Sequence, residues 1–344
     1  MKFSIRFYCT AAFMASTFII ASACGSNDAQ PKDKEKPKTE TPSHKNPVLP
    51  GFFADPEVLY SEATGKYYIY PTGDWKRYPV YSSDNLRDWK FESDILDLST
   101  DQVSWALEDA WAPAIIERKI DGKYKYFFYF CGLPLNRGPK EIGVAIGETP
   151  TGPFTDSGQS IIKESPVGWG QQIDVDVFQD PLSGKYYLYW GNGYMAGAEL
   201  EDNMISLKEE TLTVMTPQGG TLEDYAYREA PYVFYRKGHY YFLWSVDDTG
   251  SANYHVAYGT SKSPLGPIKV AKQPVILRQR PDQGIFGPAH CAVLQVPDSD
   301  EWYIVYHRIN EEHLHGDTYG HREVCIDRME FNEDGTIKEV VPTK

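Results

Sequence analysis

Gly65-Lys-Tyr-Tyr-Ile-Tyr70 sets a turn residue in front of an aromatic strand, and the same signature returns four more times. The copies are Gly122-Lys-Tyr-Lys-Tyr-Phe-Phe-Tyr129, Gly184-Lys-Tyr-Tyr-Leu-Tyr-Trp190, Gly238-His-Tyr-Tyr-Phe-Leu-Trp244 and Asp300-Glu-Trp-Tyr-Ile-Val-Tyr306. Their starts lie 57, 62, 54 and 62 residues apart. A shorter apolar segment precedes each: Ala54-Asp-Pro-Glu-Val58, Trp111-Ala-Pro-Ala-Ile115, Ile173-Asp-Val-Asp-Val177, Glu229-Ala-Pro-Tyr-Val233 and Ala289-His-Cys-Ala-Val293. Self-similarity at a near-fixed period marks a repeat architecture. A unit of this length holds four antiparallel strands, and four-stranded sheets repeated around a channel make a β-propeller. The sequence therefore predicts an all-β, five-bladed β-propeller over residues 47–344. A β-sandwich would not repeat two matched segments at one offset five times.

Working outward, the composition agrees. The 344 residues include 25 Tyr, 16 Phe, 8 Trp, 28 Gly and 24 Pro, a mixture that favours strands and tight turns. A formal net charge of −14 argues against a nucleic-acid binder, which needs a basic stripe to meet phosphates. Five Cys are too few and too scattered for a disulfide framework. Cys131, Cys291 and Cys325 are expected as buried small hydrophobes.

The N-terminus reads differently. Residues 1–23 have the form of a lipoprotein signal peptide: Lys2 and Arg6, then an apolar run from Ala11 to Ala21 too short to span a membrane comfortably. Ala21-Ser-Ala-Cys24 resembles a bacterial lipobox, with Cys24 as the lipidated residue. An ordinary signal peptide cut nearby is the alternative. Residues 24–46 are rich in Lys, Glu, Pro and Thr without apolar periodicity and read as a disordered tether. The expectation is an exported protein anchored in the bacterial envelope, touching the membrane only through its lipid.

In a propeller the first strand of each blade lines the axis. Aligning the five first strands puts Asp55, Ala112, Asp174, Ala230 and His290 in one column, with Ala54, Trp111, Ile173, Glu229 and Ala289 one step before. Each ionisable residue alone has a bland explanation. Asp55 could cap the turn at Pro56, Asp174 competes with Asp176, Glu229 could pair with Arg228, and His290 could sit satisfied in the core. Convergence on one channel mouth is what points to a role, because gathered charges are costly without one.

These segments resemble glycoside hydrolase family 43. The resemblance runs from Asn46-Pro-Val-Leu-Pro-Gly-Phe-Phe-Ala-Asp-Pro56 through Ala110-Trp-Ala-Pro113, Ile173–Phe178 and Arg228-Glu-Ala-Pro-Tyr-Val233 to Glu301–Arg308 and Arg322-Glu-Val-Cys-Ile-Asp327. It implies the same five-bladed fold and an inverting mechanism. Asp55 is then the general base, Glu229 the general acid, and Asp174 the carboxylate that orients the acid and raises its pKa. His290 would sit beneath the sugar and could hold an ion through water, and Arg322 would bind substrate hydroxyls. No cofactor is implied beyond a structural Ca²⁺ near His290, and Ala289-His290, standing where the family often has two His, weakens the case for a tightly held metal. Trp111, Trp75 and Phe53 are the expected sugar platforms. The expected partner is an oligo- or polysaccharide, and the expected activity is release of arabinofuranosyl or xylosyl residues from arabinan or arabinoxylan by an α-L-arabinofuranosidase. The alternatives are a galactofuranosidase or galactosidase of the same family, or a non-catalytic carbohydrate-binding propeller.

Overall fold

The computed structural model describes residues 45–344. The signal peptide, Cys24 and the tether up to His44 lie outside the described residues.

Five antiparallel blades follow one another along the chain. Blade one is β1 (Ala54–Ser61), β2 (Lys66–Thr72), β3 (Arg77–Ser83) and β4 (Lys90–Asp97), paired in chain order. Blade two is β5 (Ala106–Glu108), β6 (Ala114–Ile120), β7 (Lys123–Pro134), β8 (Glu141–Gly147) and β9 (Phe154–Ile162), with short β5 pairing the end of β7 that β6 leaves free. Blade three is β10 (Asp176–Gln179), β11 (Tyr186–Trp190), β12 (Ala196–Glu199) and β13 (Thr213–Val214). Blade four is β14 (Glu229–Arg236), β15 (His239–Val246), β16 (His255–Ser261) and β17 (Lys269–Leu277). Blade five is β18 (Phe286–Gln295), β19 (Trp302–Ile309) and β20 (Arg322–Met329). The five aromatic repeats are the second strands β2, β7, β11, β15 and β19. They read as nearly continuous apolar runs because both faces of a blade are buried. Tyr68 and Tyr70 pack towards blade two with Phe128, while Ile69 packs towards blade five with Val305 and Ile326, as the two-residue strand period requires. Cys131, Cys291 and Cys325 are buried and free.

Two expectations need correction. Blade five has three strands of its own. Its edge is completed by the segment ahead of β1, where Val48 N–H donates to Val324 C=O at 2.9 Å and Phe53 N–H to Arg322 C=O at 2.8 Å. The predicted tether also ends too late. Asn46 is buried; its side-chain oxygen accepts Ile326 N–H at 2.9 Å and its amide donates to Ile326 C=O at 3.1 Å. A polar residue at the end of a polar run looks like linker, but here it pairs with the edge of β20 that faces away from β19.

The aligned column is a shared backbone feature. Asp55, Ala112, Asp174, Ala230 and His290 all have left-handed φ, at 46°, 33°, 59°, 55° and 47°. In β1, β14 and β18 the pairing register shifts at that point, the signature of a β-bulge that bends the strand and re-aims side chains. For residues other than glycine this region costs about 1–2 kcal/mol each. The neighbouring side chains help to hold it. Four of the five column N–H groups are taken up by a side chain: Asp55 by His307 Nδ1 at 3.1 Å, Ala112 by Thr72 Oγ1 at 2.8 Å, Ala230 by Asp174 Oδ2 at 3.2 Å and His290 by Ser245 Oγ at 3.0 Å. Leaving such a donor buried and unpaired would cost about 1–3 kcal/mol.

Candidate active site

The bulges open onto a cavity of about 420 Å³, a size suited to a small sugar ligand. Asp55, Asp174, Glu229, His290, Arg322, Trp75 and Trp111 all line it. Phe53 does not. It packs edge-on against Tyr81 in the apolar layer between blades one and five, with ring centroids 5.5 Å apart. Its closeness to Asp55 in sequence is misleading, because a bulge re-aims only the residue it contains. The cavity also takes in Gln171, Asn192, Arg228, Asp248, Thr249 and Tyr319.

On one side stands Asp55, buried, with three nitrogens around Oδ1: Arg322 Nη1 at 2.9 Å, His290 Nδ1 at 3.2 Å and His307 Nδ1 at 3.2 Å. Burial works to raise the Asp55 carboxyl, but Arg322 first, then His290, holds it well below the usual carboxylate range. Asp55 is therefore ionised at any working pH. Burial pushes the His307 imidazole down to about 4, so near neutral pH it is uncharged and its Nδ1 accepts Asp55 N–H. Burial likewise lowers His290, and its neutral ring can still donate Nδ1–H to Asp55. Arg322 is fixed in turn, with Nε donating to Tyr319 C=O at 3.0 Å and Nη1 to Thr249 Oγ1 at 3.1 Å.

Across the cavity Glu229 is equally buried but lacks a close cation. Tyr254 donates to Oε1 at 2.7 Å and the Asn192 amide donates to Oε2, while Arg228 Nε stays 3.9 Å away. Burial pushes Glu229 up to about 7; repulsion from Asp55 and Asp248 adds to it, and the Tyr254 hydrogen bond and Arg228 oppose it. Asp174 is raised well above its ordinary value by burial, then by repulsion from Glu229 and Asp55. The expectation that Asp174 acts simply as an anion beside the acid therefore needs refinement. The two carboxyls titrate as a pair, and that pair holds a proton near neutral pH because burial disfavours both charges. Asp174 also accepts the Ala230 N–H, so it fixes the backbone on which Glu229 sits.

The aromatic wall is built at blades one and two. Trp75 and Trp111 meet edge to face with centroids 6.2 Å apart. Lys140 Nζ covers one face of Trp111 at 4.1 Å and pairs with Asp109 at 3.4 Å. Among the described residues no three His, Cys, Asp or Glu side chains converge as metal ligands. The Nδ1 of His290 is already engaged with Asp55. This donor set does not fit a directly coordinated Ca²⁺, which wants six to eight oxygens, so His290 is not supported as a direct ligand.

Asn192, Tyr254, His307 and Thr249 were not predicted. The first follows the second strand of blade three and the next two lie on or beside strands of blades four and five. Only the closing motif through His307-Arg308 was visible in the sequence, without a role for the imidazole. Chemically, the arrangement pairs an ionised carboxylate with a protonated carboxyl across one small cavity, the requirement for general base and general acid in a single displacement by water.

Comparison with known proteins is consistent with this geometry. Residues 44–337 match the model of Glycosyl hydrolases family 43. The chain is 35% identical over 310 residues to a beta-D-galactofuranosidase xynD of Aspergillus niger, covering 86% of this chain and 84% of that one. It is 26% identical to an arabinoxylan arabinofuranohydrolase of Paenibacillus polymyxa, over 89% of this chain and 53% of the relative, so it spans about half of that protein. A solved thermostable family-43 glycoside hydrolase superimposes with a TM-score of 0.76 at 28% identity, covering 88% of this chain and 97% of the other.

Proposed function

This chain belongs to glycosyl hydrolases family 43, and from that premise we propose that it is an inverting α-L-arabinofuranosidase acting on a plant polysaccharide such as arabinan or arabinoxylan, with xylosyl release as a related activity. The observation that carries the mechanism is the contrast between Asp55, held ionised by Arg322, and Glu229, pushed up to about 7 by burial. Asp55 draws a proton from a water on one face of the anomeric carbon. The water oxygen forms the new bond as the glycosidic C–O bond breaks, and Glu229 delivers its proton to the departing oxygen. Asp174 holds the Ala230 backbone and shares the proton of the acid. Arg322 cannot use its Nη1 freely on the sugar while it neutralises Asp55; its task includes keeping the base charged. Trp75 and Trp111 offer aromatic surface to the sugar ring.

The arabinofuranosyl reading is supported by the name of the Paenibacillus relative. The 35% identity to a galactofuranosidase favours a second reading, release of galactofuranose, another five-membered-ring sugar. Parallel assays on aryl α-L-arabinofuranoside, β-D-xyloside and β-D-galactofuranoside decide between them. The proposal expects the highest kcat/KM on the arabinofuranoside, and a preference for galactofuranoside would replace it. Proton NMR of the first product is expected to show the inverted anomer; a retained one contradicts a base acting through water. We further propose that the enzyme is exported and anchored in the bacterial envelope through Cys24, on the lipobox-like Ala21-Ser-Ala-Cys24. Lipid labelling should be lost in Cys24→Ala, and unchanged labelling would contradict the anchor.

A further inference from the structure

Glu229 protonates the leaving oxygen, so the sugar that departs must lie on the Glu229 side of the cavity. The residues leading outward on that side form a connected mount. Asn192 donates to Glu229 and pairs with Gln171 through backbone bonds in both directions, at 3.1 and 3.0 Å. Gly193 N–H donates to the C=O of Arg228, the residue before the acid, at 2.7 Å. Over Gly193 lies the ring of Trp169, so close that a Cβ on Gly193 would sit 2.7 Å from it. Only glycine fits there, and its φ of 85° suits the same choice.

Trp169 does not line the cavity; it stands just beyond Gln171. Its side chain is 59% exposed, unusual for a residue type that is mostly buried. Yet it is held firmly. Tyr194 meets it edge to face with centroids 6.4 Å apart, and Ser165 Oγ donates to its carbonyl at 2.5 Å. The indole rests on Gly193, whose N–H bonds the residue before the acid, and touches Tyr194 at an edge, yet most of it stays exposed outside the glycone cavity.

We propose that Trp169 is the platform for the leaving-group sugar, and that this sugar is a pyranose of the polysaccharide main chain. A β-1,4-linked pyranose with equatorial hydroxyls presents a flat face of axial C–H groups, which matches a rigid indole surface. The inference rests on the glycosidase reading above and adds a specificity residue to it. It makes the enzyme one that recognises the chain it trims as well as the sugar it removes.

The test compares wild type with Trp169→Ala and Trp169→Tyr on two substrates bearing the same glycone. One is a branched oligosaccharide with a pyranose main chain. The other is the glycosyl fluoride, whose leaving atom does not reach the ring. For Trp169→Ala the expected loss in kcat/KM is about 10- to 100-fold on the oligosaccharide, carried by KM, with little change on the fluoride. Trp169→Tyr should recover most of it. Equal loss on both substrates, or none on either, overturns the proposal. Calorimetry with xylotriose reads the platform whichever glycone is cleaved: weaker binding by about tenfold in Trp169→Ala supports it. Equal affinity in both proteins, or no binding by wild type, overturns it. If wild type cleaves none of the three aryl glycosides, the glycone reading fails while the calorimetric comparison still decides the platform.

Discussion

The two walls of the cavity carry the same functional group in opposite states. Asp55 and Glu229 are both carboxyls, both buried and both mounted at bulges of a first strand. Blades one and five surround Asp55 with Arg322, His290 and His307. Blades three and four give Glu229 only neutral donors, Tyr254 and Asn192, and a second carboxyl, Asp174. Burial alone would protonate both, since it penalises charge. A guanidinium in direct contact, with His290 beside it, reverses the outcome on one wall. The division of labour thus lies in the partners supplied by neighbouring blades rather than in the choice of Asp or Glu.

The contrast can be broken most severely by removing each carboxyl in turn. Asp55→Ala is expected to lower kcat/KM by about 10³–10⁴-fold on every glycoside, because each needs an activated water. Glu229→Ala should lose about 10²–10⁴-fold on the natural oligosaccharide, or roughly 3–5 kcal/mol, yet keep most activity on a dinitrophenyl glycoside whose leaving group needs no proton. The reverse pattern would exchange the two roles.

The pH profile sharpens the comparison. The acid works only when protonated, so kcat/KM should fall as pH rises through about 7, the value to which burial pushes Glu229. Asp55 is depressed, so the acid limb should lie below the ordinary carboxylate range, giving a profile broad on its acidic side. Tyr254→Phe removes a hydrogen bond that favours ionised Glu229. Its basic limb should therefore move to higher pH, by about one unit. A downward move would mean that Tyr254 supports the protonated form instead.

A fourth buried carboxyl extends the contrast away from the chemistry. Asp176 accepts Val233 N–H at 2.8 Å and has no cation among the groups that set its pKa; burial pushes it up to about 8. A carboxyl raised in the folded state stabilises most fully below its unfolded pKa of about 3.9. That contribution is lost as pH climbs through the folded value. Melting temperatures of wild type should thus decline between about pH 4 and 8 relative to those of Asp176→Asn. Parallel curves would contradict the assignment. The smallest effect is expected from chelation: with no converging direct ligands among the described residues, kcat/KM should change by no more than about twofold. Loss of activity restored by Ca²⁺ would show that a hydrated ion acts there.

The parts of this account visible in the sequence are those written locally. The glycine-and-aromatic second strands repeat because every blade buries both faces, and the column of Asp55, Ala112, Asp174, Ala230 and His290 repeats because the chain takes the same left-handed turn at each of them. Of the residues outside the repeat, Arg322 was legible through the resemblance, whereas Tyr254, Asn192 and the role of His307 were not. Tyr254 and Asn192 reach Glu229 from 25 and 37 positions away, and His307 reaches Asp55 from 252; no periodicity encodes such a contact. Phe53 failed for the opposite reason, since adjacency along a strand says little about which side a residue faces. The fourth edge of blade five escaped because it is borrowed from the segment around Val48 and Phe53, at the far end of the domain sequence.

The most direct test of the opposed states is a titration of the two carboxyls by ¹³C NMR, with Asp55→Asn and Glu229→Gln assigning the signals. The expected result is that the Asp55 signal stays that of a carboxylate from pH 4 to 8, while Glu229 titrates near 7 and Asp174 well above the ordinary carboxylate range. Glu229 fully ionised at pH 5, or Asp55 taking up a proton near neutral pH, would contradict the account.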